Sequence, residues 1–450
     1  MRPGSYHLMG IGGVGMSALA EALAYLGHPV SGCDQNPAAG DRLRAAGIPV
    51  QRGHDPSHLA GVDRLVVSSA IPPDHPEPAQ ARALGLEVRK RIEVLGELMA
   101  ERPSLGVSGT HGKTTTTAML AAILEAAGLD PLALVGARVP GWGGGFRPGR
   151  GPVVAEVDES DRDFPRARAT LALLTNLEDD HVGGGQATYH PTPEALRRAV
   201  AEWLLGAETV VWRADWPGLS ELVPPGRGLG FGFESGEVRA ERPRLLPGEG
   251  RFRLVLGERE LGEVRVPLPG RHNLENALAA AAAALAYGVE FPAIHRGLSG
   301  FKGTGRRLEL VGTVNGARVY DDYAHHPTEV AAALRALKEL GGRVRVVFQP
   351  HRYLRTARFM ERFAKALALA DEAVVLEVYP AGESPIPGVS GRSLAELARR
   401  KGANARHLSW EEAVAYLSET AREGEAIVTM GAGDVGRLGR ELARGSAAWR

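Results

Sequence analysis

The sequence predicts an α/β protein made of three units in series. Strand-like and helix-like stretches alternate along most of the chain, which is typical of parallel sheets covered by helices. A length of 450 residues leaves room for about three domains. Three glycine-rich loops, at 10–15, 109–112 and 431–436, each follow a predicted strand.

The first unit is predicted over residues 1–101 and has the pattern of a Rossmann-like sheet. A short strand ends at Gly10, and apolar residues from Met16 to Leu26 then recur at the spacing of one buried helix face. Further strands are predicted over 29–34 and 62–68. Arg102-Pro103 marks a break before the next unit.

The second unit, 102–307, is predicted as a central α/β domain of the P-loop ATPase type, and the third, 308–450, as another Rossmann-like domain. From about residue 228 to 269 a period-2 alternation indicates antiparallel strands added to the central sheet. An alanine-rich helix from Asn273 follows. The other predicted strands are 105–108, 153–157, 171–175, 209–212, 344–348, 373–378 and 426–430, and the other predicted helices are 114–127, 328–340 and 356–370.

Composition excludes several classes of protein. The 53 basic and 53 acidic residues give no net charge, which argues against a nucleic-acid binder. The single cysteine, Cys33, excludes an internal disulfide and a cysteine-rich metal site. The longest apolar run, 277–287, is too short to span a membrane, and the N-terminus lacks a signal-peptide core, so a cytoplasmic protein is expected.

The first glycine loop, Gly10-Ile-Gly12-Gly13-Val-Gly15, predicts a pyrophosphate site at the start of a helix. Asp34 follows at the end of the next strand, where an acid could bind ribose hydroxyls. The pattern is compatible with an NAD-dependent oxidoreductase and equally with a UDP-linked substrate, since both ligands are nucleoside pyrophosphates. A tight turn without a ligand is the structural alternative.

The second loop, Ser108-Gly-Thr-His-Gly-Lys113-Thr114-Thr115, predicts phosphate binding, although valine stands at 107 where the strict P-loop pattern has glycine. Backbone amides around Gly109, Thr110, His111 and Gly112 can cradle phosphate. Lys113 supplies a positive charge, and the hydroxyl of Thr114 can coordinate Mg²⁺. The third loop, Gly431-Ala-Gly433-Asp-Val-Gly436, is interpreted as a packing turn.

Acidic residues follow two of the central strands. Glu156 and the stretch 158–161 come after one strand, and Glu178 to His181 after another. Carboxyl ends of parallel strands meet at one edge of a sheet, where the Lys113 loop is also expected. The pattern predicts Mg²⁺ at this edge, with Glu156 and His181 among its ligands.

These motifs closely resemble the Mur ligases, in family order and over nearly the whole chain. The stretches that carry the resemblance are GIGGVGMSALAE, SGTHGKTTTTAML, EVDESD, TNLEDDH, GRHNLENALAA, FKGTGRRLEL, YDDYAHHPTE, FQPHRYLRT and VYPAGE…GVSG. The resemblance implies ATP-dependent formation of an amide bond through an acyl phosphate, and within the family the pattern is most similar to the members that add L-alanine to UDP-N-acetylmuramate.

The resemblance also implies roles for individual residues. Lys113 and the backbone of 110–115 would hold ATP phosphates, and Thr114, Glu156 and His181 would bind two Mg²⁺ ions. Catalytic roles fall on Lys113, Glu156, His181 and His325. The other implied contacts are Asn273, Asn276 and Arg306 for ATP, Gly12, Gly13, Val14, Gly15, Asp34 and Ser69 for the UDP-linked substrate, and Tyr323, His325, Arg352 and Arg355 for the acceptor amino acid.

One absence separates members of the family. Several sibling ligases use a carbamoylated lysine in the central domain, but no lysine occurs here between Lys113 and Lys302, which favours the alanine-adding type. Two stretches depart from the family pattern, Val-Gly-Gly-Gly after His181 and Phe-Arg-Pro-Gly from Phe146.

Three alternatives stay open: a ligase that joins a tripeptide to UDP-N-acetylmuramate, an NAD-dependent oxidoreductase, and a non-catalytic nucleotide-binding protein. The expected partners are small molecules alone, without nucleic acid or membrane insertion, in a monomer or dimer. The family closes its domains around ligands, and hinges are expected near Pro103 and at 303–305.

Overall fold

The computed structural model describes residues 3–36, 40–68, 71, 74–180, 182–183 and 189–445. The predicted α/β fold class is confirmed, with strands that form sheets of five, ten and six strands. The chain divides into two compact units. Unit 1 comprises 1–242, 252–264 and 275–301, and unit 2 comprises 243–251, 265–274 and 302–450.

The first sheet belongs to unit 1 and has the order β3-β2-β1-β4-β5, with every neighbouring pair parallel. Its elements are β1 (Tyr6–Met9), α1 (Val14–Tyr25), β2 (Val30–Asp34), α2 (Asp41–Ala45), β3 (Val50–Arg52), a 3₁₀ turn (Pro56–Leu59), β4 (Arg64–Val67), α3 (Pro76–Ala83), β5 (Glu87–Lys90) and α4 (Arg91–Ala100).

Side chains that alternate along β1 supply two separate cores. Tyr6 and Leu8 pack with residues of α1 and α4, whereas Met9 packs with Cys33 and with Ala81 of α3. A parallel strand covered on both faces is expected to be apolar throughout. His7, which is fully buried, breaks that rule.

The central sheet has the order β15-β14-β13-β12-β11-β10-β6-β9-β7-β8. Its elements are β6 (Ser104–Ser108), α5 (Lys113–Ala126), β7 (Leu132–Leu134), β8 (Phe146–Arg147), β9 (Val153–Glu156), β10 (Leu171–Leu174), α6 (Pro193–Leu205), β11 (Thr209–Arg213), β12 (Gly228–Gly232), β13 (Val238–Leu246), β14 (Glu249–Leu256), β15 (Arg259–Val266), α7 (Arg271–Ala286) and α8 (Phe291–Ser299). The predicted antiparallel strands are β13 to β15, neighbours joined by two-residue turns that only antiparallel strands allow. The prediction was wrong for β12, which lies in the same stretch but pairs parallel with β11 and with β13.

The third sheet belongs to unit 2 and has the order β16-β17-β21-β18-β19-β20. Its elements are β16 (Glu309–Val314), β17 (Ala317–Asp322), α9 (Pro327–Glu339), β18 (Val344–Phe348), α10 (Tyr353–Leu367), β19 (Glu372–Val375), α11 (Gly391–Arg400), β20 (Ala405–His407), α12 (Trp410–Thr420), β21 (Ala426–Met430) and α13 (Gly436–Gly445).

The third sheet contains one hairpin that the sequence pattern did not predict. Strands β16 and β17 pair antiparallel across the turn at Asn315-Gly316, while all the other pairs of the sheet are parallel. The irregular register between Leu310 and Gly312 breaks the strict alternation by which a strand is recognised. In the part of the chain that the structure describes, every helix is too short or too polar to cross a bilayer.

Candidate active site

The second glycine loop connects β6, in the middle of the central sheet, to α5. Gly109 has φ +132° and Gly112 has φ +80°, conformations that favour glycine. A Cβ on Gly109 would lie 2.2 Å from Thr175 Oγ1, and one on Gly112 would lie 2.3 Å from Asn276 Oδ1. The two glycines therefore allow both an unusual backbone path and close contact with neighbouring loops.

The loop after β10 is hydrogen-bonded to this glycine loop and stabilises it. The Thr110 amide donates to the Asn176 carbonyl at 3.2 Å, and the His111 amide donates to Asn176 Oδ1 at 2.8 Å. Thr175 Oγ1 and Asn176 Nδ2 donate to the His111 carbonyl at 2.8 and 2.9 Å. The backbone of 110–115 is predicted to bind phosphate, but the amides of Thr110 and His111 are hydrogen-bonded to Asn176.

The amides that lack an acceptor within a helix are those of its first turn, here Lys113 to Thr115. They lie at the positive end of the α5 dipole, which is a favourable place for an anion. Fewer backbone amides of the loop can therefore bind phosphate than the motif predicted. Asn176 is a supporting residue that the motif contained but did not single out.

The Lys113 ammonium lies across the loop. Nζ donates to the Gly109 carbonyl at 2.6 Å and to Glu159 Oε2 at 2.7 Å, and Asp158 Oδ1 is 3.7 Å away. Burial lowers the pKa of Lys113, but Glu159, Asp158 and Glu156 outweigh burial, so the net shift of this pKa is upward. The Lys113 side chain is therefore protonated and lies at the N-terminus of α5.

Thr114 and Glu156 come from α5 and from the end of β9. Thr114 Oγ1 donates to Glu156 Oε1 at 3.1 Å, and the Gly136 amide donates to Glu156 Oε2 at 2.7 Å. Adjacent ligands of an octahedral Mg²⁺ lie about 2.9 Å apart. The hydroxyl and carboxylate thus have the spacing and chemistry that a magnesium ion requires, and Gly136, which carried no sequence signal, fixes the carboxylate.

The acidic stretch after β9 divides into two environments. Glu159 is fully buried beside Lys113, and burial raises the pKa of Asp161, whose carboxylate also accepts from the Asp163 amide. His190 Nε2 lies 2.9 Å from the Glu159 carbonyl. The predicted ligand His181 lies outside the described residues, as does Ser69.

The first glycine loop lies between β1 and α1 as predicted. The Gly12 amide donates to Asp34 Oδ2 at 2.9 Å, and the Asn36 amide donates to Asp34 Oδ1 at 2.9 Å. Gly13 is the residue before α1, whose first residues are Val14 and Gly15. The Asp34 carboxylate, predicted to bind ribose, thus accepts hydrogen bonds from the backbone and stabilises the conformation of the glycine loop.

Asn273 and Asn276, two of the predicted ATP contacts, lie on α7. Asn276 is part of unit 1, and its Oδ1 lies 3.3 Å from Thr116 Oγ1, which places it beside Gly112. Asn273 is part of unit 2 and donates from Nδ2 to the Pro269 carbonyl at 2.8 Å. The structure therefore brings Asn276 to the Lys113 loop within unit 1.

Arg306 and the third glycine loop contact each other within unit 2. The Arg306 guanidinium donates to the carbonyl of Gly431 at 2.7 Å and to Asp321 Oδ2 at 3.1 Å. A Cβ on Gly431 would lie 2.7 Å from the Gln349 carbonyl, and one on Gly433 would lie 2.6 Å from Gln349 Oε1. These close approaches agree with the packing interpretation of the loop.

The four predicted acceptor residues also lie in unit 2. The Arg306 guanidinium lies 5.0 Å from the centre of the Tyr323 ring, and the rings of Tyr323 and His325 are 5.1 Å apart. Arg352 has φ +72° and donates from Nε to Glu383 Oε1 at 2.6 Å. Arg355 Nη1 lies 3.5 Å from His351 Nδ1.

His351 lies between Arg355 and His325 and was not among the residues predicted to bind the acceptor amino acid. Its ring stacks on Tyr379 with centroids 5.5 Å apart and lies 6.2 Å from the His325 ring. Burial, together with His325 and the nearby arginines, lowers the pKa of His351 to about 3. His351 is part of the stretch FQPHRYLRT, but nothing in its spacing from the other residues indicated a functional role.

Comparisons with known proteins identify the class of this chain. Three family models match it: the Mur ligase family catalytic domain over 5–103, the Mur ligase middle domain over 107–284, and the Mur ligase glutamate ligase domain over 306–433. The chain belongs to the Mur ligase family, and it is an ATP-dependent ligase that forms amide bonds.

Its relatives narrow the class further. The UDP-N-acetylmuramate–L-alanine ligase of Deinococcus radiodurans is 49% identical over 98% of this chain and 94% of its own length. The enzyme of the same name from Kineococcus radiotolerans is 44% identical over 98% and 96%. The crystal structure of UDP-N-acetylmuramate-alanine ligase from Thermotoga maritima has a TM-score of 0.87 at 28% identity, covering 99% of this chain and all of that one.

A murein peptide ligase from Psychrobacter arcticus is also similar, with a TM-score of 0.72 at 27% identity and 98% of each chain covered. The predicted membership of the family is confirmed. The predicted domain bounds and the roles of individual site residues stay predictions.

Proposed function

We propose that this protein joins L-alanine to the carboxylate of UDP-N-acetylmuramate while ATP is cleaved to ADP and phosphate. The chemistry rests on one observation, the placement of Lys113, Thr114 and Glu156 together at the start of α5. The choice of substrates rests on relatives of that name that cover nearly the whole chain.

The reaction needs no nucleophile from the protein. An oxygen of the sugar-linked carboxylate attacks the terminal phosphorus of ATP, the bond to ADP breaks, and an acyl phosphate forms. The alanine amine then attacks the acyl carbon, phosphate leaves, and the amine loses a proton. The work of the protein in such a reaction is positioning and neutralisation of charge.

Lys113 and the first amides of α5 neutralise the phosphate oxygens in this proposal. The ammonium already lies above the helix start, held by Glu159 and the Gly109 carbonyl. A phosphate group would compete with Glu159 for the same cation.

Magnesium would be held by Thr114 and Glu156, whose oxygens are 3.1 Å apart. When bound, the ion withdraws charge from the phosphate oxygens. His181 is proposed as a ligand of a second ion on the family pattern alone.

The first glycine loop would bind the UDP pyrophosphate. Amides of Val14 and Gly15 lie at the start of α1, where the helix dipole favours an anion, whereas the Gly13 amide donates to the Gly10 carbonyl at 3.2 Å. Asp34 supports this site by holding the Gly12 amide. The NAD-dependent alternative is not favoured, since the family and the relatives named above are ligases.

The acceptor amino acid would bind near Tyr323, His325, Arg352 and Arg355. Arginine suits a carboxylate because its donors form a fork. Arg352 is bound to Glu383, so an acceptor carboxylate at Arg352 would have to compete with that residue.

A panel of donors and acceptors with ADP release as the readout tests the proposal. We expect release with UDP-N-acetylmuramate and L-alanine, and little with the tripeptide L-alanyl-γ-D-glutamyl-meso-diaminopimelate. Lys113→Ala should abolish release while the fold is retained, and Lys338→Ala, which breaks an ion pair with Asp371 within unit 2, is the matched control. Preference for the tripeptide, or full activity of Lys113→Ala, would refute the proposal.

A further inference from the structure

Four side chains with metal-binding atoms converge on one face of the first sheet. His7 lies on β1, Cys33 on β2, His58 in the 3₁₀ turn after β3, and Glu77 in the first turn of α3. One ligand atom from each lies within 4.8 Å of the corresponding atom of every other. The single cysteine of the chain excludes a cysteine-rich metal site but allows a mixed one, here assembled from four separate elements.

Among the described residues, Glu77 forms its ion pairs with histidines and none with a lysine or an arginine. Its side chain is fully buried, and within the described parts of the chain its polar neighbours are Cys33 Sγ at 3.6 Å, His7 Nε2 at 3.4 Å and His54 Nδ1 at 3.9 Å. A buried carboxylate is costly unless a proton or a cation compensates it.

Two histidine nitrogens in the cluster are buried without a hydrogen bond to any described residue, His7 Nε2 and His58 Nδ1. His7 is fully buried, and its other nitrogen lies 2.9 Å from Ser31 Oγ, which fixes the direction of the ring. Zinc-binding histidines are usually held in this way through the nitrogen that does not bind the metal.

His54 occupies a supporting position. Its Nδ1 lies 3.1 Å from Cys33 Sγ, within reach of a hydrogen bond to the sulfur. The metal-binding atoms of His7, Cys33, His58 and Glu77 thus lie close together, and His54 lies beside the sulfur.

We propose that His7, Cys33, His58 and Glu77 bind one Zn²⁺ ion. A thiolate, two imidazoles and a carboxylate are ligands typical of zinc. Ligands around a tetrahedral zinc lie about 3.3–3.7 Å apart, and the distances from Glu77 to His7 and to Cys33, 3.4 and 3.6 Å, already match. The other pairs of ligand atoms lie within 4.8 Å of each other.

All four coordination positions are supplied by the protein, so the site is structural. Zinc would join β1, β2, the 3₁₀ turn and α3 on the face of the sheet opposite α1. On binding, the Cys33 thiol loses its proton to solvent, and a zinc–sulfur bond forms without any change of oxidation state.

The test uses the full chain, stripped with a chelator and then titrated with Co²⁺. Cys33 is the only cysteine, so a thiolate-to-cobalt charge-transfer band can come from no other residue. We expect that band, tetrahedral d–d bands, displacement by Zn²⁺, and one zinc per chain by elemental analysis. The thermal unfolding midpoint should rise with equimolar Zn²⁺.

Cys33→Ser should lose the charge-transfer band and weaken zinc binding by about 100-fold or more. His295→Gln, which changes an exposed histidine bound to the Glu263 carbonyl, is the matched control and should bind as the wild type does. Because Cys33→Ser could fold poorly, the wild-type cobalt spectrum is decisive by itself. Absence of the band, or an unfolding midpoint that does not change with Zn²⁺, would overturn the proposal and leave a metal-free His7–Glu77 pair.

Discussion

Replacement of Gly109 by alanine tests whether the phosphate loop depends on contact as well as on backbone conformation. At φ +132° an alanine is strained by about 1–2 kcal/mol. Its Cβ would also lie 2.2 Å from Thr175 Oγ1 and 2.8 Å from the Asn176 carbonyl, and the second of these is backbone that cannot rotate away. Such overpacking costs about 1–3 kcal/mol, so we expect a total loss of about 2–5 kcal/mol.

Gly128 provides a matched control at the other end of α5. It has φ +76°, and a Cβ there would meet nothing within 4 Å. Gly128→Ala therefore carries the conformational penalty without the steric one, about 1 kcal/mol. The difference between the two variants isolates the close approach of the loop after β10.

Urea unfolding followed by circular dichroism measures both free energies, and equilibrium binding of ADP measures the loop directly. Gly109→Ala should bind ADP at least about 10-fold more weakly, since displacement of Asn176 releases the Thr110 and His111 amides. Gly128→Ala should bind ADP normally. The reasoning would be refuted if the unfolding free energies of the two variants agreed within about 0.5 kcal/mol.

Three further predictions concern single side chains. Thr114→Val should raise the Mg²⁺ concentration needed for half-maximal ADP release by about 10-fold, because Glu156 loses its partner ligand. Thr117→Val is the control: the Thr117 hydroxyl donates to the Lys113 carbonyl, and its loss should leave that Mg²⁺ concentration unchanged. Glu159→Gln should lower the unfolding free energy by about 1–3 kcal/mol, since the buried Lys113 ammonium loses its main charged partner; urea unfolding with no measurable loss would contradict this. The pKa of His351 in the folded protein, about 3, lies below its unfolded value of about 6.5, so between these values the unfolded chain binds more protons. The unfolding free energy therefore falls as pH decreases, by up to about 1.4 kcal/mol per pH unit. His351→Gln should flatten this dependence between pH 6.5 and 5, and an unchanged slope would show that His351 does not cause it.

Local sequence patterns were sufficient to locate the phosphate loop and the central parallel strands. Helix α5 begins at Lys113 and the strand before it ends at Ser108, within a residue of the predicted bounds. Both are encoded locally, by an apolar run, two glycines and a run of threonines. The meeting of Thr114 with Glu156 also followed from the sequence, because the carboxyl ends of parallel strands share one edge of a sheet.

Contacts between distant residues were decided by the tertiary structure. The sequence did not indicate that Asn176 takes the first amides of the phosphate loop, that Asp34 holds the Gly12 amide, or that Glu383 occupies Arg352. The hairpin of β16 and β17 was missed because its register is irregular.

The same distinction explains the buried cluster of His7, Cys33, His58 and Glu77. These residues are separated by up to 70 positions, and none of their spacings resembles a metal motif. The order of strands in the first sheet and the placement of α3 bring them together. Sequence determines which element forms and which face is apolar, since these depend on neighbours in the chain; the partner of a buried polar group depends on how the elements pack, and only the folded chain specifies it.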